Sequence, residues 1–509
     1  MSTPSRRRYT IITIAYQYLG VALGMVIGIF LIPVYLHYIP VATYGLWLAT
    51  GNVLMWISLV DPGLAYVLQQ QVAKAYGERN LPRVGMICGT GILMNLVLVG
   101  LFLLAALVMS WKLSWLVAAP NSAVATELYR AFILAALGGT LNLLSFVFRC
   151  SNQALHAAIP VGAIDLSVRV TGVFVVLLAL RRGFGLESFG LLTLWSGLLN
   201  SAGNGICLWI LIRRRGICLG SSRIVAKELG GLVSFNFVGR IANLVQTFDL
   251  LVANKVLGPE VTAIYGLTRR VPDFLRPLVS LPIESAGPPL SHLFGQGDVE
   301  KLQSVVRRLA NLSLWATGLA ASACFALNGD FVRLWVGSRL FAGTTINFLV
   351  SLQMAVFMII SGFSSLCFYL GDIKQLNLVA FVRSFLLFVF VLVGARIGGL
   401  IGVAVGGLLA MLVLVHYPVL STIRRARFSR ADARILLREG IAVVVATSVS
   451  ACITLMLSIT GWSLFVFGSV LDVATYAAVL AAVSPGFSVA FQELFQRLTA
   501  GQWKRNPAV

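Results

Sequence analysis

The sequence predicts an all-α polytopic membrane protein built as two repeated lobes. Three observations predict it. Hydrophobic residues make up 58% of the 509 positions and charged residues 11%, with a mean hydropathy of +0.90, which leaves too little polar surface to coat a water-soluble globule. The apolar runs are long enough for crossings of about 20 residues, and in lipid only a helix satisfies the backbone of a lone segment. A stretch opening Tyr44-Gly45-Leu46-Trp47 returns as Tyr265-Gly266-Leu267, and a repeat of so long a period means two lobes, not a solenoid.

Crossings are expected at 9–36, 43–70, 85–110, 128–150, 160–180, 188–212, 229–257, 262–292, 308–328, 343–370, 375–395, 398–421, 439–460 and 473–496, about fourteen in all. They group as an N-terminal lobe over 1–227, a C-terminal lobe over 228–430 and two further spans in 431–509. The fifth and sixth spans repeat as well: Val168-Arg169 matches Val382-Arg383, and a glycine-rich span follows each. A unit of six crossings starts each copy on the same side, so the lobes are expected to be parallel, related by a pseudo-two-fold axis along the membrane normal.

Arg6-Arg7-Arg8 precede the first span, whose apolar run is too long for a signal-peptide core and lacks a small-residue cleavage site, so it is expected to be retained. Cations gather in alternate loops, at Lys74, Arg79, Arg83, Arg213 to Arg215, Arg223, Lys227, Lys301, Arg307, Arg308 and between Arg424 and Arg438. By the positive-inside rule both termini are cytoplasmic. The net charge of +21 is then mainly a topology signal against an anionic leaflet, and nucleic acid is not an expected partner.

The informative polar residues are those inside spans. Span one sets Gly20, Gly24 and Gly28 on one small face that admits a close neighbour. In span two, Asp61 precedes Pro62 and is expected at a kink; an acid there suits a proton or sodium site, or a partner arginine on another helix. Span four carries Gly138, Asn142, Ser145, Arg149 and Asn152 on one stripe, which must look into protein or a water-filled cavity. Asp165 and Arg169 of span five stand one turn apart and could satisfy each other.

Span seven has a polar stripe of Asn236, Arg240, Asn243, Thr247 and Asn254. Span eight is unlike an ordinary membrane helix: it holds Arg269, Arg270, Asp273, Arg276 and Glu284 among Pro272, Pro277, Pro282, Pro288 and Pro289. Asp273 reaches all three arginines at helical spacing, yet a cationic surplus remains. An arginine at mid-bilayer costs about 2.5–3.5 kcal/mol even on the lenient insertion scale, so the surplus points to a cationic central cavity or to an ion-pair network. Nothing in the residues of the last two spans assigns them a role.

The seven cysteines show no paired ligand spacing and read as small core residues; the four histidines are scattered. No nucleotide-binding or hydrolase fingerprint occurs and no loop is long enough for a soluble catalytic domain, so the chain is not expected to be an enzyme.

Tyr44-Gly45-Leu46-Trp47, the break Leu59-Val60-Asp61-Pro62-Gly63-Leu64, the glutamine-rich exit to Ala75-Tyr76-Gly77-Glu78-Arg79, and the echo through Tyr265 and Gly297-Asp298 resemble the polysaccharide transporter (Wzx-type oligosaccharide flippase) family. That family belongs to the multidrug/oligosaccharidyl-lipid/polysaccharide exporter superfamily. The resemblance implies a bacterial inner-membrane flippase carrying an undecaprenyl-diphosphate-linked oligosaccharide to the periplasmic leaflet by alternating access. It implies no cofactor beyond a proton or sodium gradient, with membrane lipids and the polysaccharide polymerase and chain-length machinery as further partners.

A diphosphate headgroup would take charge-assisted hydrogen bonds from Arg240, Arg269, Arg270, Arg276 and Arg383, supported by Arg149, Asn236 and Asn243, while Asp61 and Glu284 are the expected coupling acids. Three alternatives stand beside this one. A cation-expelling drug exporter would favour an acid-lined cavity, a lipid-linked peptidoglycan precursor flippase would share the headgroup chemistry, and a membrane polymerase or transferase would need a large outward loop.

Overall fold

A computed structural model describes residues 6–57, 63–113, 117, 122–231, 248–276, 282–283, 286, 290, 293–294 and 298–499. Among the described residues every regular element is helical. In chain order these are α1 (Arg6–Tyr38), α2 (Val41–Ile57), α3 (Leu64–Gly77), α4 (Leu81–Trp111), α5 (Ser122–Ala154), α6 (Ala158–Arg181), α7 (Glu187–Arg215), α8 (Phe248–Leu257), α9 (Pro259–Thr268) and α10 (Arg270–Leu275). There follow α11 (Val299–Val336), α12 (Thr344–Tyr369), α13 (Ile373–Leu412), α14 (His416–Arg425), α15 (Arg430–Leu455), α16 (Trp462–Val483) and α17 (Pro485–Thr499). Among the described residues, 8 helices are long and apolar enough to cross a membrane.

The helix boundaries follow local chemistry. Asn80, Asp298 and Ser429 cap α4, α11 and α15, each accepting a hydrogen bond from a backbone N–H three residues on, and Ser429 and Asp432 close a reciprocal capping box. The expected second span is two helices, α2 and α3, with Gly63 at φ 92° opening the second. The α13 segment consists of two arms, matching the expected spans at 375–395 and 398–421: Gly398 and Gly399 leave helical geometry, the latter at φ 55°, and the chain doubles back. A Cβ at Gly394 would overlap the Gly402 carbonyl, and the reverse also holds, so only glycine lets the two arms touch so soon after the turn.

The chain divides into two compact units, 1–263 and 264–509. In the first, α3, α4 and α5 enclose a core of Leu68, Val72, Val84, Cys88 and Val147. The α4 helix shows the membrane version of amphipathicity: Leu93, Val97, Leu101, Leu104 and Val108 face outward, while Gly91, Asn95 and Ala106 are buried. Helix α2 packs on α8, and a Cβ at Gly45 would fall on the carbonyl of Pro259. Gly45→Ala must therefore push α2 away, and a loss of about 1–3 kcal/mol is expected, read as a lower unfolding midpoint of the purified protein in detergent.

In the second unit α11 is the central helix, packed on α12, α15 and α16 around Val306, Leu314, Leu366, Ala442 and Leu480. The last two expected spans are displaced. Helix α16 begins at Trp462 rather than at 473, because Ser484 and Pro485 end the apolar run and open the amphipathic α17, whose Phe487 N–H bonds to the Ser484 hydroxyl.

Four of the cysteines are buried as expected, Cys88, Cys150, Cys324 and Cys367, but Cys218 and Cys452 are exposed and Cys207 is half-buried. Cys218 follows α7, and Cys452 lies on the outer face of α15, where lipid accepts an uncharged thiol as readily as a core does.

Candidate functional site

Asp61, Asn236, Arg240, Asn243 and Glu284 lie outside the described residues. The remaining candidates fall in the two units and are placed in each separately.

In the first unit the polar stripe of span four faces protein. Gly138 of α5 meets the backbone of Thr193 and Leu194, and Gly197 of α7 meets the Gly138 carbonyl, so α5 and α7 cross backbone to backbone. A ladder runs along that contact: Asn142 Nδ2 donates to Ser196 at 3.0 Å, Asn200 Nδ2 to Asn142 Oδ1 at 3.2 Å, and Asn152 Nδ2 to the Asn204 carbonyl at 2.9 Å. Asn254 of α8 is buried and donates to the Val117 carbonyl.

Arg149, one turn before Asn152 on the stripe, forms an ion pair with Asp165 of α6 at 2.5 Å. Arg169 instead lays its guanidinium over Gly20 and Gly24 of α1, where a Cβ at Gly24 would lie 2.8 Å from its Nη1. The small face of span one thus holds an arginine as well as a helix. An Arg149→Leu change should cost more than the Arg149→Leu/Asp165→Leu double change, because the single one strands a half-buried carboxylate; thermal melts of both variants check the order.

The second unit contains the charged break. Pro272 has no N–H to return to the carbonyl of Thr268, so the helix ends there and Arg269 takes φ −85°, ψ 0°. Asn328 of α11 replaces the lost donor at 2.8 Å and also bonds Asn347 Oδ1 of α12 at 2.7 Å. The Thr268 hydroxyl accepts from the Ala342 N–H at 3.0 Å. The break is a built feature, pinned from two neighbouring segments.

Beyond it the charges sort themselves. Asp273 accepts two bonds from Arg269, Nε to Oδ2 at 2.8 Å and Nη2 to Oδ1 at 3.3 Å, and pairs with Arg276 Nη1 at 3.0 Å. Arg269 also stacks on Tyr265 at 5.4 Å, and Arg276 on Phe357 of α12 at 5.1 Å. Arg270 is left over: it stacks on Phe274 at 4.6 Å, and its buried Nε has no hydrogen-bond partner among the described residues.

Arg383, on the first arm of α13, likewise keeps a buried Nη1 without a partner among the described residues. Helix α12 packs against both α10 and α13. What sequence reasoning missed are the residues that fix the break, Asn328 and Asn347. A free carbonyl four residues before a buried proline was the available signal, since such a group needs a donor from elsewhere.

No family model matches the sequence. Among curated proteins, the uncharacterized membrane protein EpsK of Bacillus subtilis (strain 168) is 26% identical over 129 residues, a match that spans 25% of this chain and 25% of that protein. Among solved structures, the lipid II flippase MurJ in its inward closed conformation aligns with a TM-score of 0.65 at 13% identity, covering 95% of this chain and 100% of its own. An inward-facing multidrug resistance MATE family transporter of the MOP superfamily aligns at 0.63 and 14% identity, over 82% of this chain and 99% of its own. The Vibrio cholerae MATE transporter VcmN in its bent form aligns at 0.57 and 16% identity, over 82% and 96%. At these identities the likeness is one of fold: the chain is an all-α, multi-pass membrane protein that shares its fold with these transporters.

Proposed function

We propose that the chain is a flippase that carries an undecaprenyl-diphosphate-linked oligosaccharide across the bacterial cytoplasmic membrane, with both termini cytoplasmic, driven by a proton or sodium gradient through alternating access. The observation that carries the reading is the unbalanced charge at the α10 break, where three arginines meet the single acid Asp273 and Arg270 keeps a buried N–H unpaired among the described residues. A diphosphate offers the anionic oxygens that such donors lack, and a headgroup held there leaves its polyprenyl tail in lipid. Arg383 would extend the same surface. A cation-expelling exporter would be poorly served by it.

A second reading, a lipid-linked peptidoglycan precursor flippase, is favoured by the alignment with MurJ, which takes in 95% of the chain against 82% for the MATE transporters. The diphosphate is common to both readings and the glycan separates them. The test is translocation of labelled lipid-linked glycan into inverted vesicles, run with each class of lipid under imposed proton and sodium gradients. An Arg270→Gln/Arg383→Gln variant should reach the membrane at normal levels and lose at least about ten- to a hundredfold in apparent affinity, since each charge-assisted bond removed is worth about 1.5–3 kcal/mol. Unchanged transport by that variant would sink the headgroup assignment.

A further inference from the structure

Outside the charged break, the most deeply buried acid among the described residues has no assigned role. Asp472 sits midway along the 22-residue α16 and is fully buried. Its Oδ1 accepts from the hydroxyls of Ser322 on α11 at 2.6 Å, Ser450 on α15 at 2.7 Å and Thr454 on α15 at 3.3 Å. Its Oδ2 is buried and has no partner among the described residues. Ser450 is further linked to Thr475 Oγ1 at 2.7 Å and to the Asp472 carbonyl at 2.8 Å. Cys324 on α11 is close enough to interact electrostatically with Asp472, and among the described residues no lysine, arginine or histidine forms an ion pair with the acid.

A purely structural role does not account for this arrangement. Three hydroxyls that donate to one oxygen would be served equally well by an asparagine, without a carboxyl group buried mid-membrane and unpaired. Another buried acid shows the contrast: Glu439 on α15 receives Trp315 Nε1 and the Ser484 hydroxyl, and among the described residues neither of its oxygens is left buried and unpartnered. The Asp472 site holds one potential negative charge, three neutral hydroxyls on Oδ1, and an Oδ2 with no partner among the described residues; all the ligands are oxygens and they carry at most one charge, which suits a hard cation of single charge. A divalent ion would find too little charge.

We propose that Asp472, with Ser322, Ser450 and Thr454, binds a single small monovalent cation, Na⁺ or a proton, at the junction of α11, α15 and α16. This gives the last two spans, which the sequence left without a role, a chemical one. For the transport reading above it supplies the place where a driving cation sits; binding there is measured without transport, so either idea can fail alone.

The experiment uses the full-length protein in detergent and follows the unfolding midpoint in two series: Na⁺ replacing choline at fixed pH, and pH varied in choline alone. A cation that binds only the folded state raises the midpoint. The wild type should respond to Na⁺, or to falling pH if the proton is the ligand, and Asp472→Asn should lose that response while staying at least as stable in choline. Identical responses in wild type and Asp472→Asn, or no response in the wild type to either ion, overturn the site. Should Asp472→Asn not accumulate, Ser450→Ala, which removes one oxygen and keeps the acid, carries the same comparison: a weakened response is expected and an unchanged one counts against it.

Discussion

Replacing Asp273 by asparagine is expected to lower the stability of the second unit by about 2–3 kcal/mol, between the limits for exposed and fully buried ion pairs because the Asp273 side chain is 32% exposed. The carboxylate is the shared acceptor of Arg269 and Arg276. Its loss leaves Arg269, Arg270 and Arg276, all within about two turns of a broken helix, without the carboxylate between them, and the Arg269 side chain is only 9% exposed. The measure is the unfolding midpoint, together with the yield of monodisperse protein.

A second variant separates charge from shape. If the penalty is uncompensated charge, Asp273→Asn combined with Arg269→Gln recovers part of it, because the double change removes a buried cation along with its partner. A double variant as damaged as the sum of the two singles would mean that Asp273 acts through backbone geometry instead. The pair also bears on function: a bound diphosphate would replace the missing negative charge, so the Asp273→Asn protein should be rescued more by lipid-linked diphosphate than the wild type is stabilised by it.

The fold was legible because membrane solvent writes it coarsely. Long apolar runs force helices, and the spacing of Gly138, Asn142, Ser145, Arg149 and Asn152 marks the protein-facing side of α5, on which Gly138, Ser145 and Asn152 are buried. What the pattern could not say was which partner each polar group would choose. Asp165 had a cation one turn away in its own helix and pairs with Arg149 of α5, while the Arg169 guanidinium lies over Gly20 and Gly24. That choice is three-dimensional and leaves no mark on the spacing.

One misplacement has a plain physical cause. Hydropathy cannot see a turn that remains apolar, so the break at Ser484-Pro485 lies inside a run that reads as continuous, whereas the expected spans 375–395 and 398–421 already divide at the Gly398-Gly399 turn of α13. The displacement mattered: with the last span drawn from 473, Asp472 fell outside it, and the one acid at the centre of α16 went unremarked. The charged break behaved differently. The density of proline and arginine announced it, and the structure added the asparagines that hold it.

The close crossing of α5 and α7 sets the other large expectation. A Gly138→Ala change puts a methyl group against the backbone atoms of Thr193 and Leu194, where no flexible side chain can move aside, so the whole contact must open. Overpacking alone costs about 1–3 kcal/mol. Separation also weakens the bonds that depend on that distance, from Asn142 to Ser196, from Asn200 to Asn142 and from Asn152 to the Asn204 carbonyl, each worth about 0.6 kcal/mol between membrane helices. The combined loss should be about 3–5 kcal/mol, against a much smaller effect for the same change at Gly100, which meets nothing within 4 Å on the neighbouring helix α4. The two variants, melted side by side, test whether the first unit is held by backbone proximity or by its apolar side chains: if Gly138→Ala melts no lower than Gly100→Ala, the crossing is looser than its hydrogen bonds require.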